Sequence, residues 1–150
     1  MTQQSTTRNP YLDLLQERSG GRGVLVTLKR DGRPQLSNVG YSYAEGDGVI
    51  RIASTEDRVK TRNLRRDARA TFHVTTEDLS SYAVCECRAV VSPIAADPHD
   101  ATVDELVEMY RATQGEHPDW EEFRLGKVKD RRLVIRLEIE HVYGFMFPTS

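Results

Sequence analysis

Cysteine is nearly absent from this chain: Cys85 and Cys87 are the only two. They lie two apart in a run that reads as a strand, so both side chains fall on one face and a disulfide between them would be strained. C-x-C without a second cysteine pair is a weak metal signal, and both are expected to be reduced structural thiols. Histidine is scarce as well, with four in all. None stands at metal spacing from His73, which is expected to be packed or half-exposed rather than a ligand. No apolar run approaches the roughly 18 residues of a membrane helix. The opening M-T-Q-Q-S-T-T-R carries no hydrophobic signal region, so a cytoplasmic protein that does not engage a membrane is expected. A dominant charge is also missing: 21 basic residues face 23 acidic ones, which gives no general case for nucleic acid. G-x-S-x-G, H-E-x-x-H, the P-loop and the Rossmann fingerprint do not occur, so nothing proposes hydrolysis. A cofactor with its own reactivity would ask the protein only for binding and orientation.

What is present suits one globular domain over residues 1–150, with 38% apolar and 29% charged residues in 150. Residues 1–8 are polar and expected to be disordered. Asn9-Pro10 has the form of a cap followed by proline at the first helical position, and Tyr11, Leu14 and Leu15 continue at helical spacing until Gly20-Gly21. G-V-L-V-T-L-K-R is the first strand and Asp31-Gly32 a hairpin turn. R-P-Q-L-S-N-V-G-Y-S-Y is the second strand, and neither of its faces is cleanly apolar. Gln35 and Ser37 share one face with Val39; Asn38 shares the other with Leu36 and Gly40. Such a strand is either an edge with one wet face, or it points Gln35, Ser37 or Asn38 into a polar ligand site.

V-I-R-I-A-S is the third strand. The stretch that follows, S-T-E-D-R-V-K-T-R-N-L-R-R-D, holds five cations against three anions from Glu56 to Asp67, a local +2 in a chain of net charge -2. It reads as a short helix capped by Ser54 or Thr55, with Arg58 and Lys60 near the positive end, where cations are unfavourable. Backbone N–H groups there, with Lys, Arg and Thr beside them, suit a phosphate or carboxylate. The alternative is a solvated basic face.

The fourth strand runs from Ala70 to Thr75. Y-A-V-C-E-C-R-A-V-V-S-P-I is the fifth, ended by Pro93. A helix follows from Asp97-Pro98, or from a capping box at Thr102 and Glu105, with Val103, Leu106, Val107 and Tyr110 as its apolar stripe. His117-Pro118 opens a second helix, whose Trp120 and Phe123 are expected in a core. The last strand, from Arg131 to Phe145, has the clearest alternation, with Leu133, Ile135, Leu137 and Ile139 on one face. Six strands, mostly hairpin-connected, with helices near the two ends, predict a small, mainly β (α+β) antiparallel barrel.

Five ordered segments then resemble a known family: G-V-L-V-T-L-K-R-D-G-R-P-Q-L-S-N-V, R-V-K-T-R-N-L-R-R-D-A-R-A, S-Y-A-V, Y-R-A-T-Q-G-E-H-P-D-W and D-R-R-L-V-I-R-L-E-I-E-H-V-Y-G. Together they are similar to the pyridoxamine-phosphate-oxidase-like split β-barrels, FMN-binding in type. The likeness is greatest to the actinobacterial branch that binds the deazaflavin coenzyme F-420. The resemblance implies a homodimer with cofactor sites at the subunit interface. It places Lys60 and Thr61 at the cofactor phosphate, with Arg58, Val59 and Asn63 beside them. Gln35, Ser37 and Asn38 fall on the strand lining the deazaflavin and ribityl region, Ser54 at the end of the adjoining strand, and Tyr82 near the ring pocket. Close relatives carry an aromatic residue just before S-Y-A-V. Ser80 stands there, which implies a wider, wetter ring pocket. The activity implied is an F-420-dependent reductase passing a hydride to a conjugated small molecule, the proton coming from solvent. The alternatives are an FMN-binding oxidoreductase on the same fold and a non-catalytic F-420 carrier. Arg62, Arg65 and Arg66 exceed what one phosphate requires, and some of them are expected to attract the acidic tail of F-420.

Overall fold

The computed structural model describes residues 8–148. The elements are α1 (Pro10–Glu17), β1 (Arg22–Leu28), β2 (Pro34–Gly40), β3 (Ser42–Tyr43), β4 (Val49–Thr55), α2 (Val59–Arg66), β5 (Arg69–Thr75), β6 (Tyr82–Val91), α3 (Ala101–Gln114), α4 (Trp120–Lys129) and β7 (Arg132–Phe145). Of residues 1–8, expected to be disordered, all but Arg8 lie outside the described residues. Arg8 pairs with Asp13 of α1 at 2.9 Å.

The strands form one antiparallel sheet in the order β2-β1-β5-β6-β7-β4-β3. Its two edges, β2 and β3, are consecutive in the chain with only Tyr41 between them. That one residue carries the chain from one edge of the sheet to the other and closes it into a split barrel. The sheet therefore has seven strands rather than six, because the run expected to be one strand from Arg33 to Tyr43 breaks at Tyr41. The break has a cause. The Tyr41 ring turns into the core, meets Phe72 edge-on at 4.9 Å, and its hydroxyl donates to the Leu15 carbonyl at 2.6 Å. Its N–H donates to Gly21 O and its carbonyl accepts from Gly20 N.

The core follows from the period-two pattern. Leu133, Ile135 and Leu137 of β7 are fully buried, and they face Ser54, Ile52 and Ile50 across the β4 pairing. Phe72 fills the centre. It lies so close to β1 that a Cβ on Gly23 would stand 2.4 Å from its ring, so only glycine fits there. Cys85 and Cys87 are buried free thiols in this core, and burial pushes the Cys85 thiol up to about 11. His73 is half-buried, its ring 5.8 Å from that of Tyr82.

α1 starts as its sequence predicts, with the Asn9 side chain accepting from Tyr11 N and Leu12 N. Two other helix starts differ from expectation. α3 begins at Ala101, not at Asp97-Pro98 or behind a Thr102 cap, because the Asp100 carboxylate accepts from Val103 N as well as from Ala96 N and Asp97 N. α4 begins after Asp119, whose side chain accepts from Glu122 N, rather than at His117-Pro118. Trp120 and Phe123 pack against Ala95, Val103 and Val107 in a second, smaller core. α3 is fixed to the outer face of the barrel by Glu105, which takes Arg51 of β4 at 2.8 Å and Arg136 of β7 at 2.7 Å.

Candidate functional site

The basic helix is not capped by Ser54 or Thr55. Both belong to β4, because its pairing with β7 continues to Thr55 opposite Arg132. A turn through Glu56 and Asp57 follows, and Arg58 occupies the N-cap position with no side-chain hydrogen bond and no acidic residue in the first turn of α2. Arg58, Lys60 and Arg62 thus crowd the positive end of a helix, against the local electrostatic rule. Asp57, just ahead of the helix, offsets Arg58 and Arg62 only from outside the first turn, and such a local conflict marks a candidate site for an outside anion.

The residues that the resemblance points to separate into two groups. Ser54, Thr61 and Asn63 face inward and have partners within the chain. Ser54 Oγ and Thr61 Oγ1 are 2.9 Å apart, both residues being buried. Asn63 Nδ2 donates to Thr27 Oγ1 at 3.1 Å, and Asn63 Oδ1 accepts from Arg66 at 2.9 Å. Gln35 and Ser37 are half-buried on this same inner face, directly opposite Thr27 and Leu25 of β1. Asn38, Arg58 and Val59 are exposed, with Asn38 on the outer face of edge strand β2, and Lys60 is half-buried. Tyr82 is held apart from both groups. It pairs with Phe145 at one end of β7, whereas Arg132 opens the other end, which is on the order of 40 Å of strand away.

The outer group adjoins a residue that the sequence did not single out. Arg132 stands beside Arg58 and Arg62 on a groove of about 730 Å³. Its Nε is buried and has no hydrogen-bond partner among the described residues. Burial lowers the Lys60 pKa, and the nearby Arg58 and Arg132 lower it further. Of the carboxylates on the rim, Glu56 is held bidentate by Arg65, Asp57 accepts from the Thr55 hydroxyl, and Asp130 lines the groove beside Arg131 and Arg132 without bonding the Arg132 Nε. An unpaired buried guanidinium N–H among cations is what an anion would satisfy. The three arginines among which a contact to an acidic tail is expected do not act alike: Arg65 is taken by Glu56 and Arg66 by Leu28 O and Asn63. Arg62 remains, lining this groove and a second one that holds Lys29 and Arg30.

Next to the cations lies a cleft of about 270 Å³ between the barrel and the α3–α4 pair, near the lower end of ligand-pocket volumes. Gly40, Ser42 and Ala53 form its floor, and Leu106, Met109 and Phe123 its roof. A Cβ on Gly40 would meet nothing nearer than 3.8 Å, so packing within the chain does not require glycine there. Its open face is the cleft itself. Lys127 of α4 lines the cleft and feels the charge of Arg132, which joins the cleft to the cation cluster. Among the described residues no cluster of three or more metal-ligating side chains occurs.

The profile of the pyridoxamine 5'-phosphate oxidase family matches residues 14–146. Among solved structures, a protein described as an F-420 reductase is 21% identical, with a TM-score of 0.67 over 91% of this chain and 98% of its own. Rv2991 of Mycobacterium tuberculosis is 20% identical, with a TM-score of 0.69 over 97% of this chain and 89% of its own. The heme storage protein HutZ of Vibrio cholerae is 12% identical, with a TM-score of 0.63 over 90% of this chain and 92% of its own. At these identities the likeness is one of fold.

Proposed function

The chain belongs to the pyridoxamine 5'-phosphate oxidase family, and from that premise we propose that it is an oxidoreductase built around a flavin-like cofactor, coenzyme F-420. The observation that carries this reading is the orphaned Arg132 Nε within a cation cluster, opening onto a cleft whose floor is bare at Gly40 and Ala53. The residues fit such a group: Arg58, Lys60 and Arg132 would hold its phosphate, and the Gly40–Ala53 floor would seat its ring. Asn38, on the same outer face, would meet the ribityl chain. Ser54, Thr61 and Asn63 would contribute by anchoring α2, so that Arg58 and Lys60 face outward. Leu106, Met109 and Phe123 would keep water off the ring. Arg62, with Lys29 and Arg30, would draw the acidic tail.

When bound and reduced, F-420 supplies a hydride, and the acceptor is a small conjugated molecule with an electron-poor double bond. The chain contributes docking and orientation. Because Tyr82 lies far from Lys60 in one protomer, a complete site needs Tyr82 of the partner subunit, in a C2 homodimer.

FMN is the second reading, since a phosphate cluster reads phosphate alone. The deciding experiment is equilibrium binding of F-420 and of FMN, followed by turnover of an enone acceptor at sub-stoichiometric protein. F-420 is expected to bind more tightly and to support many turnovers. Tighter FMN binding would replace the cofactor, and F-420 binding without turnover would make the protein a carrier.

A further inference from the structure

Lys127 is the one charged side chain among the described residues lining the cleft. Its ammonium sits 4.6 Å from the centroid of the Phe123 ring. It makes no hydrogen bond or ion pair with the described residues. Burial first, then Arg132, lowers its pKa, and Asp130 offsets this only in part. The other titratable groups on the cleft wall are the phenols of Tyr110 from α3 and Tyr41 from the floor; the latter is buried and bonded to Leu15. Glu105, a carboxylate of the roof helix α3, is committed to Arg51 and Arg136. A half-buried ammonium in a cleft with no carboxylate among its lining residues gains most from an occupant that carries negative charge.

We propose that Lys127 makes the cleft selective for an ionised ring: oxidised F-420 with its 8-hydroxyl deprotonated, in preference to the uncharged ring of oxidised FMN. This rests on the F-420 reading of the cleft. The 8-hydroxyl of a deazaflavin is conjugated through the ring to the pyrimidine carbonyls. Loss of its proton therefore spreads charge over oxygens at both ends of the ring, and a cation at either edge of the cleft stabilises it. The FMN ring has methyl groups where F-420 has the hydroxyl and presents no such anion. The cation cluster at Arg58, Lys60 and Arg132 binds the phosphate that both cofactors share, so at the ring it is Lys127 that distinguishes them.

The test is a spectrophotometric pH titration of protein-bound oxidised F-420, with dissociation constants for F-420 and FMN, on wild type, Lys127→Met and Lys127→Arg. Methionine keeps an unbranched apolar stem over Phe123, and thermal unfolding checks that each variant is folded. In wild type the bound ring is expected to ionise at lower pH than the free coenzyme. Lys127→Met should move that ionisation back up by about one pH unit and weaken F-420 about tenfold where the ring is ionised, with FMN changed less than about twofold. Lys127→Arg should retain the wild-type behaviour. If Lys127→Met binds F-420 with an unshifted ring ionisation and an unchanged F-420-to-FMN ratio, the role of Lys127 is overturned and the cofactor reading stands. If wild type shows no saturable F-420 binding, both are overturned.

Discussion

Arg132 shows why single residues in this site differ in how far the sequence discloses them. The basic stretch announces itself by composition, but Arg131-Arg132 reads only as the start of a strand. Its meaning comes from the β4–β7 register that sets Arg132 opposite Thr55, a long-range pairing that no local pattern contains. Conversely, Thr61 and Asn63 fall in the right stretch, yet their side chains bond within the chain. This separation is testable. Arg132→Met removes a buried N–H that has no partner, so the melting temperature should hold or rise, while cofactor affinity falls about 10- to 150-fold, as for the loss of a charge-assisted hydrogen bond. Asn63→Ala should do the reverse. It strands Thr27 and removes an acceptor from Arg66, costing about 1–3 kcal/mol of stability, with affinity changed only as far as α2 shifts. Denaturant unfolding and ligand titration on both variants check the pair. Gly40→Leu should put a side chain into the cleft from an edge strand that has room for it, abolishing ring binding while unfolding stays within about 1 kcal/mol.

Among the elements, strands are the most legible, because one buried face imposes period two; β7 alternates from Ile135 to Glu140, while Val134 is buried together with Leu133 and Ile135. The break at Tyr41 is not legible in the sequence, because a one-residue kink between sheet edges leaves the alternation on either side intact. Helix starts were less legible. Asp97, Asp100 and Thr102 all have capping chemistry, and only the fold decides that the Asp100 carboxylate reaches Val103 N. What positions α3 as the roof of the cleft is the Glu105 clamp. Burial disfavours ionised Glu105, but the hydrogen bonds from Arg136 and Arg51 outweigh it, holding its carboxyl below its ordinary value. With a depressed folded-state pKa, the clamp's stabilisation is present above the unfolded pKa of about 4.3 and is lost as pH falls through the folded value. Glu105→Gln should therefore cost about 1–3 kcal/mol at neutral pH, and the gap to wild type should close as the solution is acidified. Denaturant curves at several pH values measure it; a gap constant down to about pH 3 would mean that the clamp is not electrostatic.

At the scale of the whole molecule, the protomer exposes an aromatic end that its own fold does not use. Tyr143 and Phe145 are 46% and 50% exposed on β7, and Phe147 just beyond is 60% exposed. Phe145 is paired with Tyr82 of β6, and the Phe147 N–H donates to the Ser81 hydroxyl, so these aromatics gather around Tyr82. Leu79, in the adjoining loop, is 72% exposed and held at a φ of 65°, where a branched side chain gains nothing from the backbone. Single exposed apolar residues need no explanation, but a group of this kind is a candidate association surface. We propose that its occupant is a second copy of this chain, on the separation of Tyr82 from Lys60 within one protomer. Phe145→Arg adds a charge at the centre of the group without disturbing the inward-facing side of β7. Wild type should sediment as a dimer at micromolar concentration and Phe145→Arg as a monomer, with unfolding of the isolated barrel still cooperative. Because the proposed site draws on both protomers, the monomer should lose ring binding and keep only weak, salt-sensitive affinity for the phosphate end. A monomeric variant that binds the whole cofactor as wild type does would show that each barrel carries a complete site, and that this aromatic end has another purpose.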